Sequence, residues 1–184
     1  MKLKIAKRSS GKKSELGRIR HEGNIPATVY GRGVDSQPIE VSGVDFNAAL
    51  RAMEKGRLST TVFEVEIDGK SAKALVKDVQ YHKTTYRPLH IDLYLLDDKN
   101  ELTVNVPVEY TGVSECSGIK LGGFLRQVMR QVKVRCLPKN LPSSFKLDIR
   151  ELNLKQSKRV SDITFPSGVT PLAGARNVVV VIAK

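Results

Sequence analysis

Apolar residues recur along this chain with two periods, and the switches between them mark out its elements. LKIAKR (3–8) alternates apolar and basic residues as a strand does. A short helix is predicted over 15–22: Ser14 is placed to cap it, Gly23 to stop it, and Leu16 and Ile19 share one face at i, i+3. Lys13, Arg20 and His21 project from other sides of that helix and leave it a basic flank. IPATVYG (25–31) reads as a strand with Pro26 near its start, and QPIEV (37–41) as its partner. A second helix is predicted over 44–55, where Phe46, Ala49, Leu50 and Met53 fall at i, i+3, i+4 and i+7 and Gly56 follows as the stop. That stripe is core packing. Residues 60–82 form a hairpin pattern around Asp68-Gly69, and PLHIDLYLL (88–96) is one further strand.

DDKNE (97–101) is polar, short and without periodicity, so a domain boundary is placed there, giving domains 1–96 and 97–184. Beyond it LTVNVPVEYTG (102–112), QVKVRCL (131–137), SFKLDI (144–149) and NVVVVIA (177–183) are strand-like and punctuated by proline and glycine. The predicted class is mainly β with some α. No repeat period or low-complexity segment is visible.

Charge changes this picture more than composition does. The 184 residues carry 31 Lys and Arg against 19 Asp and Glu, a formal net charge of +12. Nine of those basic residues and only two acidic ones lie in residues 1–32, so +7 of the surplus sits at one end. A polyanion is the partner class this implies, with an N-terminal footprint. No apolar run approaches the length of a membrane-spanning helix, and MKLKIAKRSSGKK lacks the apolar centre of a signal peptide. A cytoplasmic protein without membrane attachment is expected. Cys116 and Cys136 stand apart from each other and from any closely spaced histidine, which argues against zinc and for reduced thiols.

Enzyme motifs are incomplete. Gly11-Lys12-Lys13-Ser14 has the end of a phosphate-binding loop, but Ala6 stands where its first glycine is needed. Gly31-Arg32-Gly33 and Gly122-Gly123 do not complete a dinucleotide fingerprint. His90 and Asp92 lie two apart on a presumed strand and share a face, as a base and its orienting carboxylate would. A surface polar pair, an RNA contact and a catalytic dyad all fit that spacing, although no nucleophile motif accompanies it. Basic side chains neutralise phosphates, arginine also reaches base edges, and Tyr30, Tyr81 and Tyr86 are available for stacking or hydroxyl contacts.

The order of three motifs is more specific than any of them alone. GK-x-S-x-x-x-R-x-R-x-x-G-x-I-P-A-x-x-Y-G, then L-V-K-D-V-Q, then R-P-x-H-I-D-L-Y resembles the bacterial large-subunit ribosomal proteins that bind 5S rRNA. In particular the chain resembles the two-domain Ctc (general stress protein) form of large-subunit protein twenty-five, and IKLGGFLRQVMRQVKVRCLPKNLPSSFKLDIREL (119–152) is similar to its C-terminal domain. The resemblance implies a small N-terminal β-barrel with flanking helices, followed by a mostly β domain. It implies a structural, non-enzymatic constituent of the large ribosomal subunit that grips the loop E region of 5S rRNA from the minor groove. Neither a cofactor nor a metal is implied, nor a small-molecule substrate. The family's RNA-contacting positions fall on Arg8, Lys13, Arg18, Arg20, Tyr30, Lys77, Gln80, His90 and Asp92. Neighbouring ribosomal components are the implied partners of the second domain. Two alternatives stand beside this reading. One is a general RNA-binding module related to the anticodon-binding barrels of tRNA synthetases, the other an RNA-processing enzyme using His90 and Asp92.

Three departures from the pattern stand out. Gly17-Arg18-Ile19-Arg20 replaces a common R-R-L-R run, which removes one basic contact and puts a glycine in a helix. Lys155-Gln156 stands where relatives often have a Gly-Asp turn, and the acidic tail of many long forms is not present after Lys184.

Overall fold

The structure is a computed structural model that describes residues 1–8, 13–67 and 70–184, with the side chains of residues 13, 67 and 70 outside that description. It divides into two compact units, Met1–Asn100 and Glu101–Lys184.

The first unit is a seven-stranded mixed sheet with two helices. In chain order its elements are β1 (Lys2–Leu3), β2 (Ile5–Lys7), α1 (Lys13–His21), β3 (Ile25–Gly31), β4 (Val34–Val41), α2 (Gly43–Ala52), β5 (Val62–Ile67), β6 (Lys70–Tyr81) and β7 (Pro88–Leu95). The strand order is β1-β5-β6-β7-β3-β4-β2. Its two ends are consecutive in sequence: Leu3 pairs in parallel with Val65 of β5, while Ile5 pairs antiparallel with Val41 of β4. One extended stretch therefore binds both edges and curls the sheet into a nearly closed barrel. Period-2 alternation turns Ala27, Val29, Ile39, Val41, Phe63, Val65, Ile91 and Leu93 inward, where they form one core with Phe46 and Ala49 of α2.

Helix boundaries differ from the sequence expectation. α1 begins at Lys13, so Ser14 lies inside its first turn instead of capping it, and the cap position is outside the described residues. α2 begins after Ser42, whose Oγ accepts the Asp45 N–H at 3.3 Å. It stops at Ala52, short of the predicted residue 55, because Met53 is already extended at φ −94°, ψ 153°. The predicted Asp68-Gly69 turn also lies outside the described residues, although the strands flanking it pair from Val62↔Leu75 to Ile67↔Lys70.

The second unit consists of β8 (Leu102–Thr111), α3 (Ser117–Lys120), β9 (Phe124–Gln127), β10 (Gln131–Cys136), β11 (Phe145–Asp148), β12 (Ser157–Arg159), β13 (Val169–Pro171) and β14 (Val178–Ala183). They form a four-stranded sheet, β11-β8-β10-β13, and a three-stranded one, β12-β14-β9. Val106, Val132, Val134, Ile149, Val179 and Ile182 are at its core, with Cys116 and Cys136 buried among them as free thiols. β9, β12 and β13 were not anticipated: they are only three or four residues long, and β9 is largely exposed, so little apolar alternation reveals them.

Candidate nucleic-acid interface

The outward face of β6, β7 and β3 gathers the residues that the motifs left scattered. β3 runs parallel to β7 in the register Thr28↔Asp92 and Tyr30↔Tyr94, and β6 runs antiparallel to β7 with Gln80↔His90 and Asp78↔Asp92. Period 2 then places Gln80, Asp78, His90, Asp92, Tyr94, Thr28 and Tyr30 on one face, opposite the core. A β-bulge makes this arrangement. The register of β6 shifts between Val76 and Asp78, so Lys77 is the additional residue and Asp78, not Lys77, stands opposite Asp92.

His90 is the hinge of the face. Its Nδ1 lies 3.1 Å from Asp92 Oδ1 and its Nε2 lies 3.2 Å from Thr28 Oγ1. A carboxylate only accepts, so Nδ1 donates; in the neutral ring Nε2 then accepts from the Thr28 hydroxyl. Both ring nitrogens are thus engaged within the protein, and the ring is oriented instead of being poised as a free base. Tyr30 meets Tyr94 edge to face, with centroids 5.7 Å apart and ring planes at 75°. Partial burial raises the Tyr30 phenol above its usual range, helped by the Asp92 and Asp78 carboxylates and by Tyr94, so it remains a neutral hydrogen-bond donor.

The basic residues stand on the elements next to these strands. Arg8, just after β2, donates its backbone N–H to the Pro38 carbonyl and Nε to the Ile39 carbonyl, which fixes it beside the strand that pairs with β3. Arg20 is not the freely projecting side chain expected of the helix flank. Its Nε and Nη2 donate to the Leu89 carbonyl at 3.3 and 3.1 Å, and this ties the end of α1 to β7 next to His90. Arg18 is exposed and makes a long ion pair, 3.8 Å, with Glu22. Such a pair is weak in water and easily exchanged. Lys77 is exposed at the bulge, and Lys13 is the first residue of α1, its side chain outside the described residues.

Thr28, Asp78 and Tyr94 belong to this face and were missed from the sequence. Thr28 is separated from His90 by 62 positions. Only the parallel β3–β7 pairing brings them together, and no local pattern encodes that. The order of groups is chemically readable: hydrogen-bond acceptors and a locked imidazole at the centre, the Tyr30–Tyr94 rings at one end, and the Arg20 guanidinium beside β7. Such a surface can meet donors such as 2′-hydroxyls and amino groups at its centre and phosphates at its margin.

Comparison with known proteins gives the chain its family. The profile of the Ribosomal L25p family matches residues 3–93, and that of the ribosomal protein TL5 C-terminal domain matches residues 101–184. A protein of Chlamydia trachomatis serovar A is 40% identical over all 184 residues of both chains. Proteins of Chlamydia abortus and Chlamydia pneumoniae are each 39% identical over the same span. All three carry the name large ribosomal subunit protein bL25. With an L25p unit followed by a TL5-type unit, and relatives that match from end to end, the chain belongs to the bL25 family of ribosomal proteins, in its two-domain form.

Proposed function

We propose that this protein is a structural constituent of the large ribosomal subunit, and thereby of the cytoplasmic translation machinery, and that it binds 5S rRNA through the outward face of β6, β7 and β3. The observation that carries the reading is the Thr28–His90–Asp92 chain set in one row with Gln80 and Tyr30. His90 and Asp92 are held in fixed orientation, and the remaining acceptor capacity of Asp92 faces outward toward a minor groove. In A-form RNA that groove is wide, shallow and lined with 2′-hydroxyls, which a flat strand surface can reach. The distorted helix of loop E is the target the family motifs imply. Arg8, Lys13, Arg18, Arg20 and Lys77 then serve as phosphate contacts that fix register, while Tyr30, Gln80, His90 and Asp92 read the groove.

For the second unit we infer contacts to neighbouring ribosomal protein or RNA. Its β10 strand presents Lys133 and Arg135 outward, alternating with buried Val132 and Val134.

Chemical footprinting of 5S rRNA tests the assignment. Protection confined to loop E, and lost with His90→Ala, supports it; undiminished protection by that variant, or equal affinity for tRNA at matched salt, counts against it. Arg18→Ala is expected to flatten the dependence of log K on log salt by about one unit.

A further inference from the structure

The turn joining β6 to β7 is built on the His82 ring. Nδ1 of His82 accepts the backbone N–H groups of Thr84 and Thr85 at 3.4 and 3.3 Å, with the Thr84 hydroxyl at 3.1 Å. The His82 N–H donates to the Arg87 carbonyl and the Tyr86 N–H to the His82 carbonyl, both at 2.9 Å. This knot holds Tyr86 at φ 54°, in the left-handed region that side chains other than glycine rarely occupy. A strained conformation of this kind persists only where its surroundings enforce it, and it leaves Tyr86 as a residue 77% exposed.

The same turn walls an open cleft of about 530 Å³, bordered also by the end of α1, the start of β3 and the first turns of α2. That volume falls within the range of small-ligand sites, roughly 300–1,000 Å³. Arg20, Arg87, Asn24 and Asn47 are among the residues that line it. Among the described residues that line it there is no carboxylate, whereas Asp78 and Asp92 sit centrally on the strand face described above. Arg20, tied to the Leu89 carbonyl, belongs to both places.

We propose that this cleft takes one unstacked nucleobase of a single-stranded RNA segment, stacked on Tyr86, with its phosphate between Arg20 and Arg87. Asn24 and Asn47 supply amide donors and acceptors to the base edge. The inference rests on the reading of the chain as an RNA-binding protein, but the chemistry is separate from duplex readout. Aromatic stacking with nearby guanidinium groups is how single strands are held.

Titration of an oligoadenylate tetranucleotide into the full chain, followed by amide resonances, tests it. Tyr86→Gly removes the ring and relieves the left-handed backbone, so it folds; Tyr86→Phe keeps the ring. Shifts are expected at Asn24, Tyr86 and Arg87, with affinity lowered at least about fivefold in Tyr86→Gly and retained in Tyr86→Phe. Shifts confined to Thr28, Tyr30 and His90, or equal affinity of Tyr86→Gly and the parent, overturn the proposal. Parallel binding of 5S rRNA separates the two readings. Cleft shifts with no 5S rRNA binding uphold the cleft and sink the 5S assignment, and the converse removes the cleft alone.

Discussion

Gly43 abuts the carbonyl oxygen of Gly23 so closely that a β-carbon on Gly43 would overlap it. Gly23, at φ +85°, turns the chain out of α1, and Gly43 is the first residue of α2, so two helix ends meet backbone to backbone. Gly43→Ala has to push that backbone aside, and a loss of about 1–3 kcal/mol in urea unfolding is expected. Unchanged stability would mean that the two segments separate at no cost.

Gly17 has no such neighbour. A β-carbon there meets nothing within 4 Å, and its backbone is helical. Gly17→Ala is therefore expected to stabilise the first unit by about 0.5–1 kcal/mol. Gly17→Arg is expected to raise 5S rRNA affinity and steepen the salt dependence by about one unit. If Gly17→Ala instead impairs RNA binding, the glycine serves a close approach of RNA to the helix backbone.

Thr28→Val keeps the shape of the side chain and deletes the hydroxyl that engages His90 Nε2. Folding stability is expected to fall by about 1 kcal/mol or less, since the site is half-exposed. RNA affinity falls by about threefold to tenfold as the ring loses its fixed orientation. Filter binding beside thermal unfolding separates the two effects.

Asp148 makes a two-pronged ion pair with Arg150, with Nε at 2.9 Å and Nη2 at 2.6 Å from Oδ2. Hydrogen bonds from the Arg150 side chain and backbone, with the guanidinium charge, lower the Asp148 carboxyl to about 2 from its ordinary 3.8. A depressed value stabilises the folded state above the ordinary one, and that contribution disappears as pH falls through the folded one. The stability difference between the parent and Asp148→Asn is thus expected to be constant near neutrality and to close between about pH 4 and pH 2. Salt should shrink it, because both side chains of the pair remain about half-exposed to solvent.

Lys155 occupies the left-handed region at φ 64°, and its N–H donates to the Ile182 carbonyl at 2.9 Å. Lys155→Gly keeps that bond and removes the β-carbon conflict, so a gain of about 1 kcal/mol in the second unit is expected. A loss would show that glycine's added freedom in the unfolded chain outweighs the relief.

Elements whose burial follows a local period were legible before any coordinates. The alternation of Val132, Val134 and Cys136 along β10 and the Phe46–Ala49 stripe of α2 need only neighbours in sequence. His90 and Asp92 were legible as a pair for the same reason, being two apart on one strand. Thr28 was not, because its partner lies across a parallel pairing, and Asp78 was not, because a bulge at Lys77 decides which residue faces Asp92. Arg20 was recognised as basic but not as a tie to the Leu89 carbonyl, since a guanidinium's partner depends on tertiary placement. The left-handed Tyr86 is equally silent in a sequence.

The stretch that joins both edges of the first sheet has a consequence for the order of events on the way to the native state. Lys2 and Leu3 pair with Glu64 and Val65, some sixty positions further on, while Ile5 to Lys7 need Ile39 to Val41. The pairing with β4 can form once that strand exists; the pairing with β5 must wait for a much longer loop to close. Until then both rims of the sheet carry unpaired backbone groups open to other strands. The opening residues thus act as a late clasp, made before its catch and fastened after it.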